Sequence, residues 1–215
     1  TPALMGKVAD PKSRDSNNRI LHKAFPGGRL TMVGANAPSG LAGRPIRVVL
    51  FDEVDRMPHS AGTEGDPIGL AEKRTTTFWN RKLIKVSTPT VKGLSRIEEA
   101  FEETDKRRFH IPCPHCGHMH PLAWGNVKWD SGKPETARML CPSCSGEFSN
   151  AQKNAAVRQG RWVATAPFKG KAGFHLNELY SPWKSIAEVV ADFLEAKGNP
   201  ARLQVWVNTS LGETW

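Results

Sequence analysis

Two arrangements of side chains in this 215-residue chain could do chemistry. The first is Val48-Val49-Leu50-Phe51-Asp52-Glu53, four apolar residues that end in adjacent carboxylates. A buried strand that carries an Asp to its C-terminal edge can help hold Mg²⁺ against the β- and γ-phosphates of ATP, which is the Walker B arrangement of P-loop ATPases. The adjacent Glu53 can orient and deprotonate an attacking water, a role typically worth about 10²- to 10⁴-fold in rate. Asp55 extends the run to Asp-Glu-Val-Asp. Any α/β strand can end in acids simply because its edge meets solvent. The chemical reading gains from the next strand, where Val86 leads into Ser87-Thr88-Pro89-Thr90. A small, hydroxyl-rich turn there is where helicase-like motors sense the γ-phosphate and couple hydrolysis to movement. The phosphate-cradling loop G-x-x-x-x-G-K-[ST] does not occur in the chain. In this class it precedes the acidic strand, so it is expected upstream of Thr1, and the fragment by itself is expected to be inactive.

The second arrangement is Cys113-Pro114-His115-Cys116 and Cys141-Pro142-Ser143-Cys144, which contain all four cysteines of the chain. Each pair sets two thiolates on a tight turn, and together they supply four sulfurs for tetrahedral Zn²⁺. The 24 intervening residues leave room for a hairpin through Leu122-Ala123-Trp124 and Asn126-Val127-Lys128-Trp129. The rival chemistry is thiol–disulfide exchange, because Cys-Pro-His-Cys also serves thioredoxin-like oxidants. Those need one pair at a helix N-terminus, whereas the second pair and Gly117 favour a knuckle. His110, His115, His118 and His120 could substitute as ligands, but four cysteines already close the site, so these read as surface histidines. Such a closed site is structural and contributes about 10–16 kcal/mol of apparent folding energy to a small module.

The elements that must position these groups are legible in outline. Arg29–Gly34, Ile46–Phe51 and Leu83–Ser87 are short and largely apolar. Such runs suit strands buried on both faces of a parallel sheet. Helical patterns near 68–79, 95–106, 151–158 and 185–197 lie among them, giving an α/β fold. Ser185 and Glu188 form a candidate capping box, with Gly198 at the helix end. Residues 113–150 are dense in Pro, Gly, Cys and His and read as a small inserted module, whereas 1–23 are polar without a clear period.

Composition narrows the class. Hydrophobic residues make up 39% and charged residues 24%, which excludes a disordered polymer. No run approaches the roughly 20 apolar residues of a membrane span. Thirty Lys and Arg against 21 Asp and Glu give a net charge of +9, which favours a polyanionic partner. There is no signal peptide pattern, and the chain lacks an initiator Met and stops at Trp215, so a piece of a longer polypeptide is expected.

Taken in order, Leu50-Phe51-Asp52-Glu53-Val54-Asp55-Arg56, Ser87-Thr88-Pro89-Thr90, the cysteine knuckles, Gly173-Phe174-His175-Leu176, Leu179-Tyr180-Ser181-Pro182, and Asn208-Thr209 with Leu211-Gly212-Glu213-Thr214-Trp215 resemble the large terminase subunits of tailed bacteriophages, of the phage lambda type (the GpA family). The resemblance covers nearly the whole chain. It implies part of the parallel sheet of a P-loop (ASCE-type) ATPase with an inserted zinc ribbon. Residues 1–108 would be the C-terminal part of the ATPase core, 109–150 the ribbon, and 151–215 a return to that core and a junction toward a nuclease domain.

The resemblance further implies an ATP hydrolase that drives double-stranded DNA into the procapsid, in the cytoplasm of the bacterial host. Asp52 would bind Mg²⁺, Glu53 would be the catalytic carboxylate, and Ser87, Thr88 and Pro89 would couple hydrolysis to movement. Small terminase subunit, portal and further copies of the motor subunit would be partners, with no membrane. Nuclease carboxylates are not recognised, so nuclease activity is not assigned. Arg74 is a candidate arginine finger reaching a neighbouring subunit's γ-phosphate. Arg44, in Ser39-Gly40-Leu41-Ala42-Gly43-Arg44, is a candidate DNA contact. The other readings of the same residues are a helicase or translocase carrying a zinc ribbon, and a non-catalytic zinc-ribbon module that binds nucleic acid.

Overall fold

The computed structural model of the chain describes Lys7 and residues 18–215. The polar stretch read at 1–23 therefore lies mostly outside the described residues. The fold is mixed α/β and divides into two units. One holds the described residues up to Asp52 together with Arg56–Lys85, and the other holds Glu53–Asp55 together with Val86–Trp215.

In the first unit, β1 (Asn18–Arg19), β2 (His22–Phe25) and β3 (Gly28–Thr31) form an antiparallel sheet. The Pro26-Gly27 turn, with Gly27 at φ 86°, returns the chain directly onto β2. All of β3 is exposed, so the Arg29–Gly34 run is not the doubly buried strand its composition suggested. Arg29 and Thr31 interrupt its apolar face, and a two-residue turn can make only an antiparallel neighbour. α1 (Pro38–Ala42) precedes β4 (Val48–Asp52), and α2 (Pro67–Lys73) precedes β5 (Lys82–Val86). Asp66 caps α2 by accepting from the Gly69 N–H at 2.9 Å, and Pro67 opens the helix where its missing N–H costs nothing.

β4 and β5 pair as a two-stranded sheet. Its side chains are far less covered than the sequence implied: Leu50 is 63% exposed, Val86 57% and Ile84 44%. A continuous apolar run reports what a strand is fit to bury, and two strands with one short helix supply too little cover to bury it.

In the second unit, α3 (Arg96–Glu102) starts at Ser95, whose Oγ accepts from the Glu98 N–H at 3.1 Å. β6 (Arg107–Pro112) is the spine of a four-stranded sheet. It pairs antiparallel with β7 (Met119–Pro121) and with β11 (Arg161–Val163), and parallel with β12 (Phe174–His175). Between them lie β8 (Val127–Asp130), β9 (Lys133–Leu140) and β10 (Glu147–Phe148), a second antiparallel sheet, and α4 (Asn150–Val157). The hairpin arm expected at 122–124 is instead an irregular turn, and β8 pairs with β9. Leu122 is occupied elsewhere: Asn177 Nδ2 and the Tyr180 hydroxyl hold its C=O and N–H, each at 2.8 Å.

α5 (Ile186–Ala196) begins with the capping box read from Ser185 and Glu188. α6 (Pro200–Trp206) and the π-helical turn Val207–Leu211 complete the chain's elements. One core joins the ribbon to these helices, with Ile111, Met139 and Phe148 packed in the same cluster as Leu179, Ile186, Val189 and Val190. Trp124, Trp129, Phe193 and Trp206 interlock over it at ring separations of 4.7–5.9 Å, tilted or edge to face.

Candidate functional site

β4 ends at two adjacent carboxylates. Phe51 is buried, Asp52 is exposed, Glu53 is exposed, and Val54 is fully buried. Glu53 has φ 53°, in the left-handed region where a side chain costs roughly 1–2 kcal/mol relative to the right-handed one. The reversal lets the chain leave the strand and enter the single turn Val54–Arg56, with two consecutive carboxylates facing solvent. Strain of this kind is retained where the surroundings hold it, most often at functional positions.

Within the second unit, Asp55 ties that turn to the residues after β5. Its backbone N–H donates to Ser87 Oγ at 3.3 Å. Its Oδ2 accepts from Thr90 Oγ1 at 2.9 Å, and its Oδ1 accepts from the Ile97 N–H, in the first turn of α3, at 2.8 Å. The Ser87 hydroxyl in turn donates to the Thr88 C=O at 2.9 Å. Pro89 is buried between these contacts. Ser87, Thr88 and Pro89 were singled out by sequence, while Asp55 and Thr90 were read only as the flanks of their motifs.

Arg44 and Arg74, assigned separate roles by sequence, line one cleft of about 290 Å³ in the first unit, with Lys73, Thr76 and Thr77. The Arg74 backbone C=O accepts from the Ile46 N–H at 3.0 Å, which sets the loop before β4 against the end of α2. Arg74 Nε is buried without a hydrogen-bond partner among the described residues. Ser39–Ala42, read as a loop, belongs to α1.

The four cysteine sulfurs lie within 4.8 Å of one another, with Cys113–Cys144 and Cys116–Cys141 each at 3.8 Å. A tetrahedron with metal–sulfur bonds of about 2.3 Å has edges of about 3.8 Å, so the donor set fits one thiophilic cation. At these distances no S–S bond is formed, and all four cysteines are free. The knuckles match turn for turn. The Gly117 N–H donates to the Cys113 C=O and the Ser145 N–H to the Cys141 C=O, both at 2.9 Å, and Gly117 and Ser145 both adopt positive φ.

Sharing one site sets the thiols apart. For Cys116 a hydrogen bond from the His118 backbone is overridden by burial and by the three neighbouring sulfurs, which push it up to about 12. Burial opposes ionisation of Cys141, but the backbone N–H groups of Cys144 and Ser143 with Cys113 and Cys144 hold it down to about 7. A bound cation is what would let all four ionise together. No histidine joins the cluster. His115 bonds the Glu147 C=O at 2.8 Å, and His120 is buried rather than on the surface, its Nδ1 3.0 Å from the Pro121 C=O and its ring near Phe148.

Tyr180, the one tyrosine of the chain, clasps the ribbon to β6. Its hydroxyl donates to the Phe109 C=O and accepts from the Leu122 N–H, and burial pushes it up to about 12. Lys153 is fully buried, donates to the Ser181 C=O at 2.8 Å, and is pushed down to about 8 by that burial.

Comparison with known proteins agrees with this arrangement. The family model of the phage terminase large subunit gpA ATPase domain matches residues 1–162, and that of the gpA endonuclease domain matches residues 171–215. The chain is 30% identical over 230 residues to the terminase large subunit of Enterobacteria phage P21, covering 95% of this chain and 35% of that protein. It is 28% identical over 240 residues to the terminase large subunit of Escherichia phage lambda, covering all of this chain and 37% of that protein. The chain thus spans about a third of the length of these relatives. No solved structure matches it. No helix among the described residues is long and apolar enough to cross a membrane. The ordered acidic strand end, hydroxyl turn and four-cysteine cluster, together with these matches, place the chain in the phage terminase large subunit gpA family.

Proposed function

We propose that this chain carries the hydrolysis and coupling elements of a viral DNA-packaging ATPase, part of a P-loop ASCE-type sheet, which moves double-stranded DNA into a procapsid in the host cytoplasm. The observation that carries the proposal is the three-way bonding of Asp55 to Ser87, Thr90 and Ile97, which binds the acidic turn and the hydroxyl turn into one unit. In this reading Glu53, an exposed residue held at φ 53° at the end of β4, accepts a proton from the attacking water. Asp52 and Glu53 offer hard carboxylate oxygens, the donor type Mg²⁺ selects. Bound there by Asp52, Mg²⁺ would screen the charge on the β- and γ-phosphates of ATP. Ser87, Thr88 and Pro89, fixed through Asp55, transmit the change on γ-phosphate loss.

The cleft of Arg44, Lys73 and Arg74 supplies cationic donors for phosphoryl groups, Arg44 toward the DNA backbone and Arg74 toward the γ-phosphate held by a neighbouring motor subunit. Zn²⁺ at Cys113, Cys116, Cys141 and Cys144 is structural, because four sulfurs leave no open position. Small terminase subunit and portal complete the assembly. The test is DNA-stimulated ATP hydrolysis by the full-length large subunit. Glu53→Gln is expected to lower turnover at least about 100-fold. Wild-type turnover in that variant would overturn the proposal.

A further inference from the structure

Thr90 is a node as well as a partner of Asp55. Its C=O accepts from Asn208 Nδ2 at 2.8 Å and from the Trp215 N–H at 3.0 Å, while the Trp215 C=O accepts from the Lys92 N–H at 3.0 Å. The second Nδ2 proton of Asn208 goes to the Glu213 C=O at 2.8 Å. Thr214 Oγ1 donates to Glu98 Oε1 at 2.8 Å, on the same α3 whose Ile97 N–H bonds Asp55. Residues 208–215 are therefore stitched to residues 90–98 by both backbone and side chain.

Asn208 is buried and sits in the π-helical turn Val207–Leu211. That wide turn is rare and recurs at functional positions. Thr209 Oγ1 donates back to the Val205 C=O at 2.7 Å, competing with the helix ladder, and Gly212 ends the turn at φ 64°. His175 Nε2 lies 3.1 Å from the Gly212 C=O, in hydrogen-bond reach. A planar amide with two N–H donors, fixed at this depth, is the group suited to bridge the Thr90 and Glu213 carbonyls at once.

From this geometry we infer that Asn208 is a positioning residue that links the hydroxyl turn after β5 to the 171–215 segment, the part of the chain that matches the endonuclease-domain model. The inference rests on the hydrolysis role proposed for Glu53 and deepens it. When the bonding of Asp55 to Thr90 changes on loss of the γ-phosphate, the Thr90 carbonyl carries the displacement to Asn208 and Trp215, and so to the entry of the nuclease domain. Asn208 touches no substrate; it acts through Thr90.

The test uses the full-length large subunit with two readouts. In the wild type, addition of a non-hydrolysable ATP analogue changes hydrogen exchange at the Trp215 and Lys92 amides at least about threefold. Asn208→Ala keeps basal ATP hydrolysis within about twofold and keeps Mg²⁺-dependent DNA cutting without nucleotide, but loses the effect of nucleotide on cutting. Thr90→Val loses it as well, and Thr90→Ser restores it. Exchange that is indifferent to nucleotide in the wild type, or nucleotide-responsive cutting that survives in Asn208→Ala, overturns the relay. The wild-type exchange decides alone if Asn208→Ala does not fold. A Glu53→Gln enzyme that hydrolyses ATP at the wild-type rate would instead remove the hydrolysis role on which the relay depends.

Discussion

Thr90 Oγ1 donates to Asp55 Oδ2 across 2.9 Å, closing a loop of 35 positions between the end of one strand and the turn after the next. The bond is charge-assisted and half-buried, so it is among the stronger single contacts in the second unit. Thr90→Val should lower stability by about 2 kcal/mol, since the Asp55 carboxylate loses a donor. Asp55→Asn should cost a similar amount. In a double-mutant cycle by urea denaturation the two should couple by at least about 0.5 kcal/mol, whereas additive effects would mean the contact is not formed in solution.

Glu53 trades stability for position. An exposed residue changed to Gly ordinarily loses about 0.5–1 kcal/mol through unfolded-state entropy. At φ 53° that loss should be cancelled or reversed, so Glu53→Gly should match or exceed the wild-type urea midpoint while losing ATP hydrolysis. A midpoint lowered by the ordinary glycine penalty would show that the left-handed conformation is relaxed in solution.

How much of this was legible in the sequence differs by element. The cysteine spacing sufficed for the four-cysteine cluster, because chemistry and geometry there are local to two turns. The Ser185–Glu188 capping box was similarly local. α6 was missed although Asn199-Pro200 is a cap and a first-turn proline, because its apolar face is dominated by the bulky Trp206 rather than by a regular period. The importance of Asp55, Thr90 and Asn208 could not be read at all, since each has a partner at least 35 positions away. The apolar runs of β4 and β5 were recognised as strands, but burial depends on which neighbours cover them, and that is not written in the strand itself.

Zinc should hold more than the ribbon. Because Met139 and Phe148 share a core with Ile186 and Val189, a chelator strong enough to strip the metal should loosen α5 and α6 as well. Metal analysis should find about one zinc per chain. Cys113→Ser or Cys141→Ser should remove it and lower the near-ultraviolet signal of the packed Trp124, Trp129 and Trp206. Gly117→Ala should cost about 1 kcal/mol, as its positive φ demands. Full folding of a metal-free chain would refute the assignment.

His175 predicts an acid sensitivity. Burial first, then the positive charge of Arg108, lower its affinity for a proton, against the opposing hydrogen bonds from Gly212 and Leu211. Its Nδ1 lies 2.5 Å from Arg108 Nη1, so the folded state favours the neutral ring with Nε2 donating to Gly212. The unfolded chain takes up the proton near pH 6.5, at about the ordinary histidine value, before the folded chain does. The stability contributed by the neutral ring is therefore complete above that pH and is lost as pH falls toward the lowered folded value. The drop in urea midpoint between pH 7.5 and 5.5 should be smaller in His175→Gln than in the wild type.

The two arginines of the first-unit cleft should separate by assay. Arg44→Ala should weaken DNA binding and reduce the slope of log K against log salt by about 1, with nucleotide turnover per bound complex retained. Arg74→Ala should leave that slope in place and lower turnover by about 10³-fold if it reaches a neighbour's γ-phosphate. Equal effects of both on the salt slope would assign the whole cleft to DNA.

The most direct test is single-turnover hydrolysis by full-length Glu53→Gln, measured beside its affinity for ATP. Unchanged affinity with bound ATP left uncleaved is the outcome expected of a residue that takes the proton from water. Cleavage of bound ATP at the wild-type rate would contradict it.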